Sequence, residues 1–226
     1  MKTLKKASCI YIFLLSVFAQ SGELLDRDNR FNSEFKLSES INSNLFLGDG
    51  YGVIERYGVK ADKNYEIVFR STHEESSKGE NSYYLFANIY EFKDGNPVLV
   101  REIKDFVLEC NLDGGADFLV GSFTITDLNG NGQPEFTFLY DLKCTGDLSP
   151  SRMKLIMLEG KDKLALRGLR ISEQVYESDL KGVQSTKKET GWGSFENDND
   201  FRGKHPLFLE FSRLRWDYFK IDLLGR

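Results

Sequence analysis

From residue 51 to residue 171 apolar residues fall in short runs, many of them alternating with polar ones. These runs are rich in β-branched and aromatic side chains and are divided by Gly, Asn and Asp, which is the pattern of strands and turns. Segments 51–60 and 63–70 flank a turn at Ala61-Asp62-Lys63-Asn64 and predict a hairpin. Within 82–109, Tyr83 to Phe92 meets Val98-Leu99-Val100 across Asp94-Gly95-Asn96-Pro97, and Asp-Gly between apolar runs is a strong local hairpin signal. Segments 118–126, 135–142, 152–159 and 163–171 continue the series, with turns at Asn129-Gly130-Asn131-Gly132 and Glu159-Gly160-Lys161-Asp162. The period then changes. Leu207, Phe211, Leu214, Tyr218 and Ile221 are spaced as one stripe of an amphipathic helix over 206–221, with Pro206 suited to its first turn and Glu210, Arg213 and Asp217 on the wet side. The expected fold is mainly β (α+β): antiparallel strands in hairpins, with a C-terminal amphipathic helix packed on the sheet.

The ends and the longest gap are different in kind. Residues 1–19 read as a signal peptide: Lys2, Lys5 and Lys6 precede an uncharged stretch from Ala7 to Phe18, closed by Val17-Phe18-Ala19. That stretch is shorter than the ~20 residues that cross a bilayer, so no transmembrane segment is expected after cleavage. Cys9 lies too early to be a lipoprotein cysteine. Residues 20–44 read as a polar lead-in, and residues 178–205 as a long loop holding Gly191-Trp192-Gly193. Residues 20–226 are expected to form a single β-rich domain. Export places the protein in the periplasm or outside the cell.

Charge narrows the partners. The chain carries a net −5, and losing three lysines with residues 1–19 moves it to −8, opposite to the basic footprint of nucleic-acid binders. Nucleic acid is therefore excluded as a partner. Beyond the signal only Cys110 and Cys144 remain, an even pair that an oxidising compartment would bond; two separate buried thiols are the alternative.

The most specific chemical motif is Asp127-Leu128-Asn129-Gly130-Asn131-Gly132-Gln133-Pro134-Glu135. It follows the first positions of a calcium loop, with side-chain oxygens from Asp127, Asn129 and Asn131, the Gln133 carbonyl, and the Glu135 carboxylate as ligands. Phe138 replaces the bidentate glutamate of an EF-hand and the flanks are strands, so the reading is a short calcium turn. Two formal negative charges imply weak Ca²⁺ binding, and a metal-free turn is the alternative. No Gly-x-Ser-x-Gly occurs, and His73 and His205 stand in plain contexts, which argues against a hydrolytic triad. Asp113-Gly114-Gly115-Ala116-Asp117 has acids where a phosphate loop needs donors. Asp113, Asp117, Asp141 and Asp147 lie near the cysteines or turns, but no spacing pairs them as glycosidase carboxylates. Trp192 could stack on a sugar or anchor the core, and Glu196 to Asp200 could hold a cation or line a solvated loop.

Phe123 to Glu135, Tyr140, Cys144, Asp147-Leu148-Ser149-Pro150, Met153 to Gly160 and Arg167-Gly168, with Pro206 to Phe219 and its Trp216, resemble a bacterial family labelled surface polysaccharide biosynthesis protein. The resemblance implies a role in producing or displaying envelope polysaccharide and supplies no catalytic residue. The expected activity is assistance by binding or scaffolding, with a glycan or an envelope protein as partner. A glycan-acting enzyme with a carboxylate pair, or an inhibitor or adhesin, is the alternative.

Overall fold

The computed structural model describes residues 36–38, 52–60, 64–146, 149–172 and 192–222. The expected signal peptide, the Ala61 turn apart from Asn64, Asp147 and residues 178–191 of the long loop lie outside the described residues. The first sheet is an antiparallel meander in the order β1 (Lys36–Ser38), β2 (Gly52–Lys60), β3 (Asn64–Glu75), β4 (Asn81–Lys93) and β5 (Asn96–Cys110). β1 falls within the stretch expected to be a loose lead-in, and it pairs with the far end of β2, Lys36 opposite Lys60. Asp94 and Gly95, both at positive φ, form the two-residue turn between β4 and β5, as the Asp-Gly pair predicts.

The second sheet contains β6 (Asp113–Phe118), β7 (Thr124–Thr126), β8 (Glu135–Thr145), β9 (Ser151–Glu159), β10 (Asp162–Ser172) and β11 (Ile221–Asp222). Its order is β11-β10-β9-β8-β6, and β7 pairs with β8 further along the edge that β6 occupies. The expected strand 118–126 is thus broken, because residues 119–123 leave the ladder. Ser122 fills the gap: its hydroxyl donates to the Leu139 carbonyl at 3.2 Å and accepts the Leu139 N–H at 3.0 Å.

The two sheets and helix α1 (Pro206–Phe219) form three layers. Along β8, Phe136, Phe138, Tyr140 and Leu142 pack with Ile67, Phe69, Leu85 and Ile103 of the first sheet. Leu139 faces the other way and joins Met153, Leu155, Met157, Leu164 and Leu166 under Phe208, Phe211, Trp216 and Phe219 of α1. A strand covered on both faces reads as a near-continuous apolar run, which is how β8 and β9 appear in the sequence.

The helix packs on the sheet as expected, but its buried stripe is rotated from the expected one. Phe208, Phe211, Ser212, Arg215, Trp216 and Phe219 are buried, whereas Leu214 is 50% exposed. Of the expected stripe only Phe211 is fully buried; the large rings of Phe208, Trp216 and Phe219 take the core positions beside it, and Arg215 is drawn in with them. Its guanidinium donates to the carbonyls of Gly121 and Ser122 at 3.0 and 3.1 Å and lies over the Phe219 ring, fastening the 119–123 excursion to the helix.

Polar and covalent ties join the sheets. Asp105 on β5 accepts hydrogen bonds from the Tyr140 hydroxyl at 2.7 Å and the Lys154 ammonium at 2.5 Å. Burial alone would push the Asp105 carboxyl up, but these partners outweigh it and the net shift is downward. Cys110 on β5 and Cys144 on β8 come together as a disulfide-compatible pair with Cα atoms 5.7 Å apart.

Candidate functional site

The loop between β7 and β8 brings the expected calcium-turn residues together. Asp127 accepts the Asn131 N–H on Oδ1 and the Gly132 N–H on Oδ2, each at 3.0 Å. Asn129 Oδ1 also accepts the Asn131 N–H, and Asn131 Oδ1 accepts the Gln133 N–H. Gly130 and Gly132 both adopt positive φ, which explains why the turn uses glycine at these two places. The sequence reading missed Glu159. It is the Cα partner of Glu135 across β8 and β9, and its Oε1 accepts from the Asn129 and Asn131 side-chain amides at 2.6 and 2.7 Å. Glu135 itself is fully buried. Its Oε2 accepts from the Thr126 hydroxyl and the Leu128 N–H, while Oε1 has no hydrogen-bond partner. Burial, reinforced by the charges of Glu159 and Asp127, pushes the Glu135 carboxyl up to about 7. Oxygen donors of this kind suit a hard cation such as Ca²⁺. Among the described residues, however, no group of three His, Cys, Asp or Glu side chains is placed to hold a metal ion.

A second constellation lies at the other end of the β8 edge. Gly114 and Gly115 of β6 stand opposite Cys144 and Lys143 of β8, and Asp117 stands opposite Asp141. A Cβ at Gly114 would collide with the Tyr83 ring, and one at Gly115 would lie 2.7 Å from an Asp117 carboxylate oxygen. The two glycines therefore let the ring and the carboxylate lie against the backbone. Tyr83 stacks with His73, their rings 6.2 Å apart and 27° from parallel. Two hollows share Gly114, Gly115 and Asp117. One, of about 540 Å³, holds Ser71, Thr72, His73 and Tyr83. The other, of about 260 Å³, holds Asp141, Lys143, Arg170 and Asp222 beside the end of α1.

The two aspartates differ in freedom. Asp141 Oδ2 accepts from the Ser151 hydroxyl at 2.7 Å and from Arg170 at 3.4 Å, while its Oδ1 is buried without a partner. Arg170 is held further by Asp222 at 3.0 Å and by the Phe219 carbonyl. Asp117 is exposed at the rim and has no hydrogen bond or ion pair among the described residues. Desolvation raises the pKa of both: at Asp117 it is partial, from the carboxylate lying against the Gly115 backbone, and at Asp141 it acts against the bonds from Ser151 and Arg170. Asp117 and Asp141 are visible in the sequence as acids near turns, but their pairing depends on a register between strands more than 20 residues apart. The Gly114-Gly115 dipeptide was the one local signal of a close approach.

The remaining expectations are dispersed. Trp192 forms a backbone bridge to Leu169 and is half-buried. The neighbouring Gly193 carbonyl accepts from the Trp216 indole. Asp198 and Asp200 pair with Arg213 and Arg167. No protein-family model, curated protein or solved structure matches the chain.

Proposed function

We propose that this is an exported cell-envelope protein that assists surface polysaccharide biosynthesis by binding glycan, without chemistry of its own. The observation that carries the reading is the double hollow around Gly114 to Asp117. It offers an aromatic stack, a free carboxylate at its rim and a lysine ammonium, spread over concavities that together suit more than one sugar ring. Carboxylates accept hydroxyl protons, an ammonium donates, and a ring face covers the apolar side of a pyranose. Binding is favoured over glycoside cleavage by the state of Asp141. Cross-strand partners have Cβ atoms about 5 Å apart, the range of a retaining pair, but Asp141 is committed to Ser151 and Arg170 and its second oxygen is buried. Asp222, in the same hollow, is likewise committed to Arg170, so among the described residues lining the hollows Asp117 is the one unpaired carboxylate, and one carboxylate cannot serve as both acid and nucleophile. Calorimetric titration with envelope polysaccharide fragments tests this: saturable heat without release of reducing ends supports it, and new reducing ends would move the protein to the enzyme class.

A calcium ion in the 127–135 loop is a separate proposal. Its support is the buried, unpartnered Glu135 Oε1, on which the charges of Asp127 and Glu159 bear.

A further inference from the structure

β5 is the outermost described strand of the first sheet on the side away from β1, and it is 15 residues long. Long free edges are usually guarded, since their unpaired N–H and C=O groups template pairing with another chain. This one carries Leu99, Phe106 and Leu108 at 49, 45 and 52% exposure, with Val98 and Val100 exposed beside them. We infer that β5 is the self-association edge of this protein, pairing antiparallel with β5 of a second copy about a two-fold axis at Ile103.

The sequence of the strand is complementary to itself about that point. With Ile103 opposite its own copy, Glu102 meets Lys104, Lys104 meets Glu102, and Arg101 meets Asp105. Beyond these, Phe106 and Leu108 face the Val98 to Val100 segment, where Val100 is the extra residue of a bulge between the Ile89–Arg101 and Tyr90–Leu99 pairs. The backbone agrees with this register. Phe106 donates its N–H to the side chain of Asp105 on its own strand at 3.0 Å, an orientation that fits an N–H directed to the edge away from β4. In a regular strand the N–H and C=O groups of Lys104 and Glu102 then point the same way. Those two residues would exchange four hydrogen bonds with their counterparts, at the centre of the interface. Ile103, Asp105 and Val107 keep their inward contacts, because two-fold pairing leaves the faces of the sheet unchanged. The occupant that fits both the charge order and the apolar flanks is a second copy of this chain.

Analytical ultracentrifugation of the exported protein from micromolar to millimolar concentration tests the pairing, with circular dichroism to confirm that each variant is folded. Wild type is expected to sediment as a concentration-dependent dimer. Lys104→Glu sets a second carboxylate against Glu102 twice per dimer and is expected to weaken association about tenfold or more. Glu102→Lys is expected to do the same, and the double exchange, which restores opposite charges, is expected to recover the wild-type constant. A monomer throughout the range, or a dimer indifferent to both single charge reversals, overturns the inference.

Discussion

Glu135 faces two opposing demands: it is fully buried beside other carboxylates, yet one of its oxygens receives two hydrogen bonds. Its folded pKa of about 7 lies above the ordinary value, so the unfolded chain loses this proton first as pH rises. The stabilising effect of the protonated form is complete below about 4.5 and declines as pH rises towards 7 and beyond, by an order of magnitude of about 3 kcal/mol. Urea titrations at pH 5 and pH 8 should therefore show lower stability at the higher pH, and Glu135→Gln should flatten that difference. An unchanged slope in the variant would remove Glu135 as its source. The same residue links pH to calcium. A bound cation favours the ionised carboxyl, so millimolar Ca²⁺ should raise the melting temperature more at pH 8 than at pH 5, and Asp127→Asn should abolish the rise; no shift at either pH would leave a metal-free turn. Gly168 is limited by space alone. A Cβ there would meet the Ser194 carbonyl and lie 2.7 Å from the Phe195 Cα, where both neighbours are backbone. Gly168→Ala is expected to cost about 2 kcal/mol or more in equilibrium unfolding, since the crossing segment must shift.

At the scale of elements, the strands and the helix were legible because their signals are local. The Asp94-Gly95 turn, the alternation through Phe123 to Thr126, and the aromatic period after Pro206 act over a few residues. The side of α1 that is buried was not legible. The stripe through Leu207 and Leu214 has the right spacing, but Arg215 is buried only because the Gly121 and Ser122 carbonyls wait beneath it, and those belong to an excursion nearly a hundred residues away. Likewise the break at 119–123 is invisible without Ser122 facing Leu139. The calcium-turn residues were readable as a motif. Glu159, Tyr83 and the Asp117–Asp141 pair were not, because each enters its site through strand register. Arg215, 6% exposed and with its pKa lowered by burial to about 10, makes the helix contact testable. Arg215→Met removes a charge from the core but leaves two carbonyls without a donor, and the balance should be a loss of about 1 to 3 kcal/mol in urea denaturation. No loss would mean that the excursion holds itself in place.

For the whole molecule, the arrangement of layers explains where the candidate binding surface lies. The Cys110–Cys144 pair and the Asp105–Tyr140–Lys154 cluster tie the first sheet to the second beside the hollows, and so set Tyr83 and His73 against the strand that bears Gly114 to Asp117. A disulfide there would stabilise the fold by about 3 to 4 kcal/mol in the chain-entropy model for a loop of this length. Cys110→Ser with Cys144→Ser should therefore lower stability by that order and weaken ligand binding as the two sheets loosen; two alkylatable thiols in the native protein would contradict the bond. Among the described residues no helix is long and apolar enough to cross a membrane. The central claim is that this surface binds glycan between the Tyr83 stack and Asp117. The most direct measurement is titration calorimetry of the native protein with fragments of bacterial envelope polysaccharide, comparing wild type with Tyr83→Ala and Asp117→Asn. Saturable binding weakened about tenfold by either substitution, in variants that melt like wild type, is the predicted result; no binding by wild type, or binding untouched by both substitutions, would contradict it.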